Sequence, residues 1–241
     1  MILVILCCLL VGFLCGATSV GGVLLIPTIQ YCLDMDIHLA AGTALCSFFF
    51  TAIFGTYLHW KSGNIHRELV VPMTLGGLFF GCVGALANTM IGSEALTAIL
   101  AWIIIFAGVA ALRPLPAMIS AGSHANRKFL LLSIGAFVGF MAGLTGVGGP
   151  VLSVPIMIAL VFDPRIAVAA ALPLQLAGCF SGSLGNVFLG QIDWSLTMLT
   201  VVIQIVGFWI GKRTALKMNT FLLKKCVALI CIGTGAIMLM R

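Results

Sequence analysis

The chain has 241 residues, 62% of them hydrophobic and 7% charged, with a net charge of +6 at pH 7. A soluble domain carries about 25% charged residues, so this composition excludes an ordinary soluble enzyme and implies an all-α polytopic membrane protein with apolar stretches long enough to span as helices. The basic excess, which would suggest nucleic acid as the partner of a soluble protein, fits loops gathered on one side of a bilayer, and no nucleic-acid partner is expected.

No basic stretch precedes the first apolar run, about residues 1–33, so it is read as part of the fold and not as a cleaved signal. That run is interrupted at Gly16-Ala17-Thr18-Ser19-Val20-Gly21-Gly22 and resumes with an early proline, Pro27. Glycine costs about 1 kcal/mol against alanine in a helix interior, so the cluster marks a helix break. Asp34 and Asp36 make a short acidic loop, a helix is expected over about 37–60, and residues 61–67 form a loop. Further helices are expected over about 69–91 and, with Ser93 as N-cap, up to Leu112. A linker over 113–128 holds Pro114 and Pro116.

The plan then recurs. A second apolar run, about 129–162, is broken at Gly143-Leu144-Thr145-Gly146-Val147-Gly148-Gly149 and contains Pro155. Helices are expected over about 165–189, 194–210 and 221–240. The two broken motifs lie 127 residues apart, and Gly77-x3-Gly81 is echoed by Gly207-x3-Gly211. The expectation is one membrane domain, residues 1–241, with repeat 1 over about 1–112, a linker over 113–128 and repeat 2 over about 129–241. Each repeat holds a Gly-broken segment, re-entrant or half-helical, and about three transmembrane helices.

Loop charges choose between two topologies. Each broken run is too long for one span of about 20 residues and too short for two. If each crosses once, the twelve Lys and Arg divide evenly between the two sides. If each folds back on itself, Lys61, Arg67, Arg113, Arg127, Lys128, Arg165, Lys212, Arg213, Lys217, Lys224 and Lys225 share one side. Arg241 then lies opposite, beside Asp34, Asp36, Glu94 and Asp193. The positive-inside tendency favours the second arrangement: inverted repeats in the cell (inner) membrane, termini outside and basic loops cytoplasmic.

A helix that starts inside a bilayer exposes unpaired N–H groups and about half a positive charge. Matched breaks near the midplane are the sequence mark of a transporter site, and backbone N–H groups suit an anion. The candidate binding residues are Gly21, Gly22, Gly146, Gly148 and Gly149, with hydroxyl donors Thr18, Ser19 and Thr145. Thr43 and Ser47 share one face of the helix over 37–60, and Gln175, taken as the approximate counterpart of Ser47, and Asn186 lie on the helix over 165–189. For these four, helix–helix hydrogen bonding is the competing reading; Asn88 and Gln204 are weaker candidates. Gly135, Gly139 and Gly143 read as a packing stripe. His59, beside Trp60, is an interfacial aromatic neighbour or a proton-linked gate. No Lys, Arg or carboxylate falls within an expected span, and no metal or cofactor is expected. The nine cysteines lie mostly in apolar runs and read as buried hydrophobes.

The duplicated G-x-x-x-x-G-G with its following proline, together with Ala40-Ala41-Gly42-Thr43-Ala44, Gly63-Asn64-Ile65 and Gly190-Gln191-Ile192, resembles the sulfite exporter TauE/SafE family over essentially the whole chain. The first copy departs from the second, with Ser19 where Gly146 stands and Val23 where Pro150 stands. The resemblance implies an inner-membrane permease, not an enzyme, for sulfite, sulfonates or other sulfur-containing organic anions. The expected partners are a small anionic substrate and the lipid bilayer, with a homodimer left open. The alternative function is a membrane thiol–disulfide relay, for which Cys15 and Cys179 form the best pair.

Overall fold

A computed structural model of the chain describes residues 2–18, 21–61, 65–112, 124–160, 162, 164–215 and 220–240. The described elements are helices: α1 (Ile2–Thr18), a short 3-10 turn (Gly21–Leu24), α2 (Leu25–Leu33), α3 (Ile37–Lys61), α4 (Arg67–Met90) and α5 (Ser93–Leu112). They continue as α6 (His124–Thr145), α7 (Pro150–Ala159), α8 (Pro164–Phe188), α9 (Trp194–Ala215) and α10 (Thr220–Met240). Among the described residues, α3, α4, α5, α6, α8 and α9 are long and apolar enough to cross a membrane. The ten residues of α7 rise only about 15 Å, half of a hydrocarbon core about 30 Å thick. Ser93, expected as an N-cap, is instead the first residue of α5, and its hydroxyl lies 3.5 Å from Asp36 Oδ1.

With no hydrophobic force between helices in lipid, membrane helices associate where small residues let backbones approach. That rule explains two of the closest pairs. In α4 and α6, Gly76, Gly77, Gly81 and Gly84 face Gly135, Gly139 and Gly143; in α1 and α9, Gly12 and Gly16 face Gly207 and Gly211. Residue numbers rise together along both pairs, so each is parallel. By the same reading α4 and α8 are parallel, through Gly77 against Leu174 and Gly185 against Ala85. Two pairs run antiparallel: α3 with α8, through Gly42 beside Asn186 and Gly55 beside Leu172, and α5 with α10, through Gly108 beside Ala228 and Gly235 beside Ala101.

Both broken runs fold back. Cys7 near the start of α1 and Cys32 near the end of α2 lie within hydrogen-bonding range of each other, which a continuous 33-residue helix would hold far apart. Phe162, just beyond α7, shares a cavity with Lys128 and Leu131 near the start of α6. Charge is divided as a result. Among the described residues, Asp36, Glu94 and Asp193 gather at the end where α3 and α5 begin. Arg67 and Lys128 gather at the opposite end, where α3 finishes and His59 neighbours Lys212. The sequence ends the ninth helix at 210, but α9 runs on to Ala215 and carries Lys212 and Arg213 inside its apolar span, where Arg213 stacks 3.8 Å over the Trp209 ring.

Candidate functional site: the paired glycine breaks

The second break is fully described. α6 ends at Thr145, and Gly146 follows at φ +75°, its N–H donating to Ala142 O at 2.8 Å. This left-handed position after a helix is the usual place for glycine, and here a second constraint applies, since a β-carbon on Gly146 would sit 2.5 Å from Ala41 O. α7 begins at Pro150, whose missing N–H costs nothing at a helix start. The first turn closes onto the glycine carbonyls, with Val151 N–H donating to Gly148 O and Ser153 N–H to Gly149 O. Among the described residues, the N–H groups of Gly148 and Gly149 find no protein acceptor.

Those two amides lie against Gln175, in the middle of α8. A β-carbon on Gly148 would be 3.1 Å from Gln175 Nε2, and one on Gly149 3.2 Å from Gln175 Cα. Gln175 is 8% exposed, and among the described residues its amide makes no hydrogen bond. The first break approaches the same place from α3. A β-carbon on Gly22 would be 3.2 Å from the Phe48 ring, and one on Gly148 3.7 Å from the other edge of that ring. Phe48, which the sequence did not single out, therefore separates the two breaks. It stands 127 residues before Gln175, the spacing of the glycine motifs themselves. Gly21 opens the 3-10 turn; Ser19 and the Thr18 side chain lie outside the described residues.

Three of the expected hydroxyl donors are engaged within the protein. The Thr145 hydroxyl donates to Met141 O at 2.7 Å, inside its own helix, and accepts from Val147 N–H at 3.4 Å. Thr43 Oγ1 accepts from Asp193 N–H at 3.0 Å, at the start of α9. Ser47 pairs with Thr200 Oγ1 at 2.7 Å. Asn186 is buried beside Gly42, near the acidic end and away from Gln175. For Thr43 and Ser47, helix–helix bonding is what the geometry contains. Gly135, Gly139 and Gly143 are the packing stripe the sequence suggests.

Asn88, a weaker candidate in sequence, supports the break directly. Its Nδ2 donates to Leu144 O at 2.6 Å, which meets one of the carbonyls left over at the end of α6. Its Oδ1 is then free to accept from His38 Nδ1–H at 2.8 Å. Replacing Asn88 with leucine leaves that carbonyl unsatisfied at a cost of about 1–3 kcal/mol. The expected result is a lowered melting temperature for the purified protein, with insertion retained; an unchanged melting temperature would refute the support.

The breaks lie buried between two cavities. One of about 520 Å³ opens at the basic end beside His66, Arg67, Lys128 and Phe162. The other, about 490 Å³, opens at the acidic end beside Gln30, Tyr31, Ser93 and Glu94. Cys179 neighbours Cys46, whereas Cys15 neighbours Gly22, and the described cysteines are free thiols.

The profile of the sulfite exporter TauE/SafE family matches residues 4–238. The chain belongs to that family. Among TauE/SafE-related proteins, "Probable membrane transporter protein YdhB" of Bacillus subtilis (strain 168) is 24% identical over 249 residues, covering 98% of this chain and 99% of its own length. "Probable membrane transporter protein YunE" of the same organism is 23% identical, covering 87% of this chain and 85% of its own length. A "Probable membrane transporter protein" of Xylella fastidiosa (strain 9a5c) is 25% identical, with 96% and 92% covered. No solved structure matches. This TauE/SafE chain is accordingly a multi-pass membrane transporter.

Proposed function

We propose that this transporter moves small sulfur-containing or organic anions, such as sulfite or sulfonates, and binds them at the paired glycine breaks near the midplane. The observation that carries the reading is the pair of Gly148 and Gly149 N–H groups at the start of α7, which have no protein acceptor among the described residues and lie beside Gln175. Backbone donors at a helix N-terminus favour negative charge without a buried cation. They desolvate an oxyanion without the tight ion pair that would slow its release. Thr18, Ser19, Gly21 and Gly22 would complete the site from the first break, whose close approach to Phe48 supports their inclusion.

Two inverted repeats in the cell (inner) membrane, with the basic end cytoplasmic, belong to the same proposal. Its support is the antiparallel crossing of α3 with α8 and of α5 with α10, pairs whose starts are 127 residues apart, and the gathering of Arg67, Lys128 and Lys212 at one end. Export is the direction that needs no coupling ion. An inside-negative potential is worth about 2.3 kcal/mol per charge per 100 mV, so a dianion gains about twice that. At about 1.4 kcal/mol per tenfold ratio, the potential alone sustains a gradient of about a thousandfold.

Reconstitution into proteoliposomes with sulfite, thiosulfate, taurine and sulfoacetate at a set potential tests the reading. Flux of at least one, faster when the anion leaves the negative side, is the expected result; no movement of any would overturn it. The thiol-relay alternative predicts that a cysteine-free variant fails, whereas the anion reading predicts that it still transports.

A further inference from the structure

We infer that the anion passes between the membrane centre and the basic end along the seam between α3 and α9, with Gln204 as a binding residue on that path. The inference rests on the anion-transport reading above and adds the route.

The seam is built in steps of four residues, from Thr43 to His59 on α3 and from Thr200 to Lys212 on α9. At the acidic end Thr43 accepts from Asp193 N–H, and one turn further Ser47 pairs with Thr200. The next rung by register holds Thr51 and Gln204. Gly55 then lies against the Phe208 ring, 3.2 Å from its would-be β-carbon, and His59 neighbours Lys212. Ser47, beside Phe48, sets the first of these rungs at the level of the breaks. Gln204 is 1% exposed, yet its Nε2 has no partner among the described residues, and neither does the buried His59 Nδ1. A buried donor left unmade costs about 1–3 kcal/mol, and polar groups held inside a membrane mark substrate pathways. An anion moving past would satisfy both in turn, drawn by the Lys212 charge at the mouth.

The corresponding interface in the other half is sealed. At the 127-residue spacing, Ser47, Thr51 and Gly55 become Leu174, Gly178 and Gly182, and Thr200, Gln204 and Phe208 become Met73, Gly77 and Gly81. There α4 and α8 meet closely: a β-carbon on Gly77 would be 2.7 Å from the Leu174 side chain, and one on Gly81 2.6 Å from Gly178 O. The Ser181 hydroxyl on that seam is taken up by Cys82 N–H. The two halves thus offer one seam carrying Ser47, Thr51, Thr200 and Gln204 and one carrying leucine, methionine and glycine at the matching positions.

The test introduces Gln204→Cys, His59→Cys and Leu174→Cys separately into the full chain and reconstitutes each in proteoliposomes. Each is treated with an anionic methanethiosulfonate sulfonate and with its trimethylammonium analogue, and peptide mass spectrometry separates the introduced thiol from the nine native ones. Field focusing at a cationic mouth raises local anion access by about tenfold or more, so the 204 and 59 variants should react at least about that much faster than the 174 variant. They should also prefer the anionic reagent after correction for its rate with a free thiol. Equal rates at 204 and 174, or a preference for the cationic reagent, would overturn the route. If Gln204→Cys does not fold, the His59→Cys comparison decides on the same terms. Wild-type anion flux with an unreactive seam refutes the route alone, whereas absence of flux with a reactive, anion-preferring seam refutes the transport reading and leaves an anion-accessible seam.

Discussion

Replacing Gly148 with valine is expected to reduce anion flux in proteoliposomes to background while the protein still inserts. Gly148 does not require a left-handed backbone, so valine fits its φ. What valine adds is bulk: its β-carbon alone would come 3.1 Å from Gln175 Nε2 and 3.7 Å from the Phe48 ring, and two further methyls must go where those groups now stand. The Gln175 amide is the end of a flexible side chain and can turn away, which spares the fold. Turning away removes one donor and covers the Gly148 and Gly149 N–H groups. Hydrogen bonds to a charged group are worth about 1.5–3 kcal/mol each, so loss of two should lower flux by about a hundredfold or more. Flux is read with the same anions as for the wild type, and insertion by sedimentation with the vesicles. Transport at the wild-type rate would mean that the breaks serve packing only.

Replacing Gly139 with valine should instead destroy the fold. Its β-carbon would lie 2.5 Å from Gly77 Cα and 2.7 Å from Gly77 O, and both neighbours are backbone. No rotamer change relieves that overlap, so α4 and α6 must separate along an interface where glycines from both helices interleave. Overpacking a tight core costs about 1–3 kcal/mol and more where the backbone has to move; the upper end, about 3 kcal/mol, is expected here. Size-exclusion chromatography in detergent should show aggregated or absent protein. Gly233→Ala in α10 is the control, because nothing lies within 4 Å of a β-carbon there. A monodisperse, wild-type-like Gly139→Val protein would refute the close approach of the two helices.

These two glycines differ in a way that their spacing in the sequence suggests. Gly139 belongs to a run at intervals of four, which is a helix-packing pattern; Gly148 is adjacent to another glycine and precedes a proline, which is a break. The hydroxyls were harder to read. Thr43, Ser47 and Thr145 look alike in sequence as neutral donors on apolar helices, yet each is already bonded within the protein. Whether a hydroxyl is spent depends on a partner 150 residues away for Thr43 and 153 away for Ser47, and no local pattern encodes that. The role of Asn88 is hidden for the same reason, since its acceptor is Leu144, 56 residues on.

By itself the sequence determined the membrane class, the helix spans, the two breaks and the family, because hydropathy over about 20 residues, glycine clustering and motif order are all local properties of the chain. It also separated the basic from the acidic loops once the broken runs were read as folding back. The tertiary structure alone decided which donors remain unspent among the described residues: the Gly148 and Gly149 N–H groups, the Gln175 amide and Gln204 Nε2. It also brought Phe48 between the breaks, and by extending α9 it set Lys212 beside His59. Those outcomes follow from how glycine-lined helices dock side by side, and docking joins residues that the linear sequence keeps apart, from Gly148 and Gln175 on neighbouring elements to His59 and Lys212 in opposite halves of the chain.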